Sequence, residues 1–163
     1  MESKVTIDDK AVRKMIQDHY NRTMNLKPVM RVISQDMQTQ KDMNFKKETD
    51  PDNKPWAKLS IDSTLKGALS GLDTVRKGDK VLQDTGRLKA SFTTRSTTKS
   101  AQIGTNLKYA KTHQYGARQG QYRSSPPIPW GNIPQRRMVG INNKSMRRYN
   151  RWVLNYILQG KLG

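Results

Sequence analysis

The sequence predicts an α+β fold: a small antiparallel sheet built on a β-hairpin, packed against N-terminal helices and a C-terminal helix. Three observations predict it. Leu88, Ala90 and Phe92 alternate with Lys89, Ser91 and Thr93, and Ala101, Ile103 and Thr105 alternate with Gln102 and Gly104, the period-two pattern of half-buried strands. The Ser/Thr-rich tract from Arg95 to Lys99 joins the two segments as a hairpin. Both ends of the chain instead space their apolar residues three and four apart, the period of a helix packed on one face.

Taken in order, Thr6 and Asp9 make a weak capping box, and Ile7, Ala11, Met15, Ile16 and His19 or Tyr20 share a face, so a first helix is expected from about Ile7 to Asn25. Pro28 suits the first turn of a second helix, whose stripe of Val29, Val32, Ile33 and Met37 carries it to about Asp42. These aliphatic and Met positions read as plain core. Lys46 to Pro55 is a polar loop, followed by Trp56 as a core anchor. Ser60 can cap a third helix with Leu65, Ala68, Leu69 and Leu72 on its buried face.

Asp84-Thr85-Gly86 forms a turn ahead of the hairpin. After it, Thr105 or Asn106 can cap a short helix bearing Tyr109, Ala110 and His113 on one side and stopping at Gly116, a residue suited to positive φ. Ala117 to Gln135, with four prolines, is a long basic loop, and Met138-Val139 is a candidate third strand. Asn142 or Asn143 then caps an amphipathic final helix, with Met146, Tyr149, Val153, Tyr156 and Ile157 on one stripe and Lys144, Arg147, Arg148 and Arg151 on another. The expected organisation is one domain over 1–163: N-terminal helices 1–45, helix plus hairpin core 56–116, loop 117–135, and short strand and C-terminal helix 136–160.

Composition narrows the function. Apolar residues are 33% of the chain and the mean hydropathy is -0.91, so the core is expected to be either thin or completed by neighbouring subunits, the second being favoured. Cysteine is absent, which excludes disulfides and thiolate metal sites and fits a reducing compartment. The longest apolar run, Trp152 to Leu158, is too short to span a bilayer, and a soluble protein made in the cytoplasm, with no membrane partner, is expected.

The charge is +18, from 31 Lys and Arg against 13 Asp and Glu, and no acidic residue follows Asp84. A solvated basic face accounts for any single one of these charges. A whole half-chain of them needs counter-charge from nucleic acid, an acidic partner or the acidic N-terminal half.

Catalysis is poorly supplied. His19 and His113 are the only histidines, no phosphate-loop glycine pattern occurs, and no carboxylate after Asp84 can orient His113 locally for Ser91 or Ser60. No enzymatic activity, metal or cofactor is expected. Lys and Arg interleaved with Tyr115, Tyr122, Trp130, Tyr149 and Trp152 could bind nucleic acid through phosphates and stacking, and without a sequence-reading motif that binding would be non-specific.

Four segments in a fixed order carry a resemblance: Trp56-x-x-Leu59-Ser60; Leu82-x-x-Thr85-Gly86-x-Leu88-x-x-Ser91; Ile103-Gly104-Thr105-Asn106-x-x-Tyr109-Ala110-x-x-His113-Gln114-x-Gly116; and Ile133-Pro134-x-Arg136-x-x-x-Gly140. Over roughly residues 26–158 the chain resembles the tail-completion, or virion morphogenesis, family of tailed bacteriophages. It departs from that pattern at Arg137-Met138, where Pro-Phe is expected, and in its long basic loop before Ile133.

The resemblance implies a structural protein of the virion, met in the host cytoplasm during assembly. It would form a homo-oligomeric ring, expected to be hexameric, at the head-proximal end of the tail or in the neck. There it would touch tail tube and neck or connector proteins, complete the tail and permit head-tail joining. Tyr109, His113, Arg118, Tyr122, Arg123, Trp130 and Arg136 are the expected subunit or partner contacts. Lys144, Arg147, Arg148 and Arg151 are expected to face acidic neighbours or genomic DNA. A non-specific nucleic-acid-binding protein is the alternative.

Overall fold

A computed structural model describes residues 9–59, 80–118, 121 and 132–162. They form α1 (Lys10–Met24), α2 (Lys27–Lys47), α3 (Arg87–Ala90), β1 (Thr93–Ser96), β2 (Ala101–Gly104), α4 (Lys108–Tyr115) and α5 (Asn143–Gln159). The fold is α+β as expected, with the antiparallel hairpin packed against N-terminal helices and the C-terminal helix. The expected third helix after Ser60 lies outside the described residues.

α2 is the central element. Pro28 sits in its first turn, where a missing N–H costs no intrahelical bond. The helix runs one turn past the expected end at Asp42, because its buried face continues through Lys41, Asn44 and Phe45. Two of those three are polar and were invisible to a count of apolar spacing. Lys41 is only 3% exposed; its Nζ donates to Asp42 Oδ1 at 2.8 Å and to Lys89 O at 3.1 Å, so its burial is compensated. Glu48, in left-handed conformation, ends the helix.

Two apolar clusters lie along α2. At its C-terminal half Phe45 meets Trp56 edge-on at 5.3 Å between centroids and Phe92 at 6.2 Å, with Val81, Leu88, Ala110 and Met138 around them. Trp56 is thus the core anchor its sequence position predicts, and Met138 fills the core at the position where the family pattern expects Phe. At the N-terminal half Val29 and Ile33 pack on Tyr149 of α5. Each such side chain contributes about 1.5–3 kcal/mol of burial.

The hairpin is shifted from its expected place. Leu88 and Phe92 are spaced by four, which satisfies a helical turn as well as a strand, and Gly86 at φ 71° starts that turn. Arg87–Ala90 is therefore helical, the strand begins at Thr93, and Thr93↔Gly104 to Ser96↔Ala101 set the register.

Met138-Val139 is not a strand, and the reason lies in its hydrogen bonds. Asn44 Nδ2 donates to Met138 O at 3.0 Å, and Gln114 takes the three remaining backbone groups of Met138 and Val139, so side chains do the work of a neighbouring strand.

α5 begins where predicted: the Asn142 side chain accepts from Ser145 N at 2.8 Å. Its last carbonyls are met by α1, where His19 Nε2 donates to Leu158 O at 3.1 Å and Arg22 Nη1 to Ile157 O at 3.1 Å. The expected apolar stripe of α1 is not core: no residue of α1 is buried.

Candidate partner-binding surfaces

The family-like motif from Ile103 to Gly140 is a set of polar clasps. Ser91 Oγ and Thr105 Oγ1 bond each other at 2.6 Å, tying the turn before the hairpin to the residue after it. Leu107, not Thr105 or Asn106, stands at the N-cap of α4, while Thr105 Oγ1 accepts from Leu107 N at 3.2 Å. Gly116, at φ 74° and ψ 171°, turns the chain so closely that a Cβ there would lie 3.1 Å from Gln135 N and from Ile133 O. Ala117 and Ile133 then bridge antiparallel, with N–H···O distances of 2.9 and 2.7 Å, so the long loop leaves and returns at one pinned stem.

Three of the expected contact residues come together. Tyr109 stacks edge-on to His113 with centroids 6.3 Å apart, and Arg136 N donates to His113 O at 2.7 Å. All three line a cavity of about 270 Å³ with Lys80, Asp84 and Thr85. Only Tyr109 is openly presented, at 42% exposure.

Arg136 faces inward at 5% exposure, and its guanidinium donates to Ala57 O at 2.8 Å and Lys58 O at 3.1 Å, holding the segment that follows Trp56. His113 Nδ1 is buried with no hydrogen-bond partner among the described residues. Burial, and then the nearby Arg136 charge, lower the His113 pKa from its ordinary value, so the ring stays neutral.

Arg118 stands apart on the loop stem, exposed, with its backbone N–H on Gln121 Oε1 at 2.9 Å. Tyr122, Arg123 and Trp130 lie outside the described residues.

The four basic residues of α5 divide. Arg148 is held by Asp36 of α2, which also accepts from Tyr149 OH at 2.7 Å, and its guanidinium lies 5.5 Å from the ring centres of both Tyr149 and Trp152. Burial is the largest single influence and would lower the Arg148 pKa, yet the bond and charge of Asp36 together with Tyr149 outweigh it and raise it. Lys144, Arg147 and Arg151 are exposed around a hollow of about 580 Å³. Arg137 likewise reaches back, to Asp52 at 2.8 Å. The acid-free half thus borrows some of its counter-charge from the acidic half, and leaves a residual basic stripe.

One end of that stripe is placed against the helix dipole: Lys144 lies in the first turn of α5, which holds no acid. A cation there is disfavoured by roughly 0.3–1 kcal/mol, an arrangement that an anionic neighbour would offset.

Sequence reasoning missed Gln114, Asn44 and Asp36 as organising residues, because each acts by a long-range bond to a partner 24 to 113 positions away. Gln114 was visible only as a member of the motif. Among the described residues no group of His, Cys, Asp and Glu could hold a metal, and no helix is long and apolar enough to cross a membrane.

The described residues thus form a clasped α+β core that presents the stem at Ala117 and Ile133 and a basic face on α5. The chain belongs to the phage virion morphogenesis family, whose profile matches residues 7–157. This is a structural family, and the role of the chain is in virion assembly. No curated protein and no solved structure matches it.

Proposed function

We propose that this chain forms a ring at the head-proximal end of a phage tail or in the neck, where it completes the tail and permits head-tail joining. The observation that carries this reading is the family match over residues 7–157. The form of the chain supports it. Ala117 and Ile133 are bridged, the sequence between them is long enough to reach across a subunit boundary, and heterologous contacts repeated round an axis close a ring. Lys144, Arg147 and Arg151 face acidic surfaces of neighbouring rings, since tight binding to DNA along a lumen would hold back a genome that must pass.

Sedimentation of the purified chain with and without tail tubes tests this. A discrete oligomer that cosediments with tubes is expected. A chain that stays monomeric and never joins tubes contradicts it.

The open stripe on α5 favours one second reading, non-specific nucleic-acid binding. A DNA titration against salt separates the two: an affinity that is strong at low salt and falls by several powers of ten at moderate salt reports a many-phosphate footprint and favours the second.

A further inference from the structure

We propose that α1 of one copy docks its apolar stripe into the groove between α2, β2 and residues 137–141 of the next copy. The inference rests on the reading of the chain as a self-assembling virion component, and adds the surfaces by which copies meet.

The first observation is a helix with an unpartnered apolar face. Val12, Met15, Ile16, Tyr20 and Met24 recur at helical spacing along α1, and they are 49, 52, 60, 58 and 63% exposed. α1 touches the body through other positions, His19 and Arg22, which bond the end of α5. Five exposed side chains of this size supply several hundred Å², the scale of one partner's share in a standard interface. They also reach the largest apolar patch a lone soluble chain ordinarily carries.

The second observation is a groove of about 500 Å³ elsewhere on the chain, with Met37, Ile103, Val139 and Ile141 in its lining and Tyr115 at its edge. Tyr115 is 67% and Ile141 45% exposed. Several polar groups of its lining are occupied internally: Lys41 by Asp42 and Lys89 O, Asn44 by Met138 O, Gln114 by the backbone of Met138 and Val139, Arg137 by Asp52. Met37, Ile103, Val139 and Ile141 give a visitor an apolar strip, with Gln40 and Gln102 beside it for polar contacts, which suits one face of an amphipathic helix.

The occupant is a second copy because a copy's own α1 is held away. Only Asn25 and Leu26 join α1 to α2, and α1 is bonded to the last turn of α5. The groove starts at Met37 and extends to Asn44, roughly 15–25 Å further along α2. Stripe and groove are different surfaces of one chain, so the contact is heterologous: each copy gives a helix and receives one, and repetition closes a ring or continues as a filament.

The chain has no cysteine, so single substitutions give clean cross-links. Under mild oxidation a mixture of Ile16→Cys and Ile141→Cys proteins should form a disulfide-linked dimer that neither forms alone, and the double variant should form a ladder of oligomers. Ile16→Cys protein that links to itself as readily as to Ile141→Cys protein overturns the proposal. Ile16→Asp should keep the helix content and Tm of the parent, because α1 buries no residue, while weakening self-association about tenfold or more.

Unchanged assembly in Ile16→Asp overturns the docking while leaving the ring reading in place. A parent chain monomeric at every concentration, with and without tubes, removes the ring reading as well. Pelleting of the parent, but not of Ile16→Asp, with phosphatidylglycerol vesicles would assign the stripe to lipid and also overturn the proposal.

Discussion

Gln114 and Val139 are joined through both atoms of one amide: Nε2 donates to Val139 O at 2.7 Å, and Oε1 accepts from Val139 N at 3.3 Å while also accepting from Met138 N at 2.8 Å. A side chain of α4 thereby replaces the strand that would otherwise satisfy this segment, whose Met138 is 1% exposed. Gln114→Ala leaves a half-buried N–H and C=O without partners and should cost about 2–4 kcal/mol, read from the shift of a urea unfolding midpoint at unchanged slope.

Gly116 should tolerate no side chain. Its φ of 74° with ψ of 171° is a region occupied almost only by glycine, and the space a methyl would take is filled by backbone of Ile133 and Gln135. Gly116→Ala is expected to lower stability by about 2 kcal/mol or more and to unpin the loop stem. Faster amide exchange at Ala117 and Ile133 measures it.

His113 makes stability depend on pH near neutrality. Its native pKa is lowered, first by burial and then by Arg136, while the unfolded chain takes up the proton near pH 6.5. Below that value the unfolded state binds more protons, so stability falls as pH falls. The Tm should drop between pH 7.5 and 5.5, and His113→Gln should flatten that slope.

Tyr149 acts at the opposite end of the scale. Burial, and then the bond to Asp36, push its pKa up to about 12. Between pH 10 and 12 the unfolded chain has lost a proton that the native chain keeps, so stability is lost as pH rises through that window. Tyr149→Phe should remove this alkaline phase and, by deleting a bond to a carboxylate, cost about 1.5–3 kcal/mol at neutral pH.

Features decided by local chemistry were legible in the sequence. Pro28, the Asn142 cap, the Gly116 stop and the Trp56 anchor each depend on a residue type that few alternatives can replace. Leu88 and Phe92 misled because a spacing of four residues that both face the core serves either period. α2 ran past its expected end because Lys41 and Asn44 are buried polar residues with distant partners.

The candidate surfaces were legible in part. Tyr109 and His113 share a cavity as their spacing on one helix suggests, whereas the inward aim of Arg136 and the tie of Arg148 to Asp36 depend on contacts across 78 and 112 positions. The openness of α1 was hidden for another reason: an amphipathic stripe looks the same whether its own chain or a second one covers it.

The chain has a structural role in virion assembly, and the proposal is that it acts where head and tail meet. Electron micrographs of particles assembled without it test that most directly. Filled heads and separate, complete-looking tails are predicted; intact, joined virions in normal yield would contradict the account.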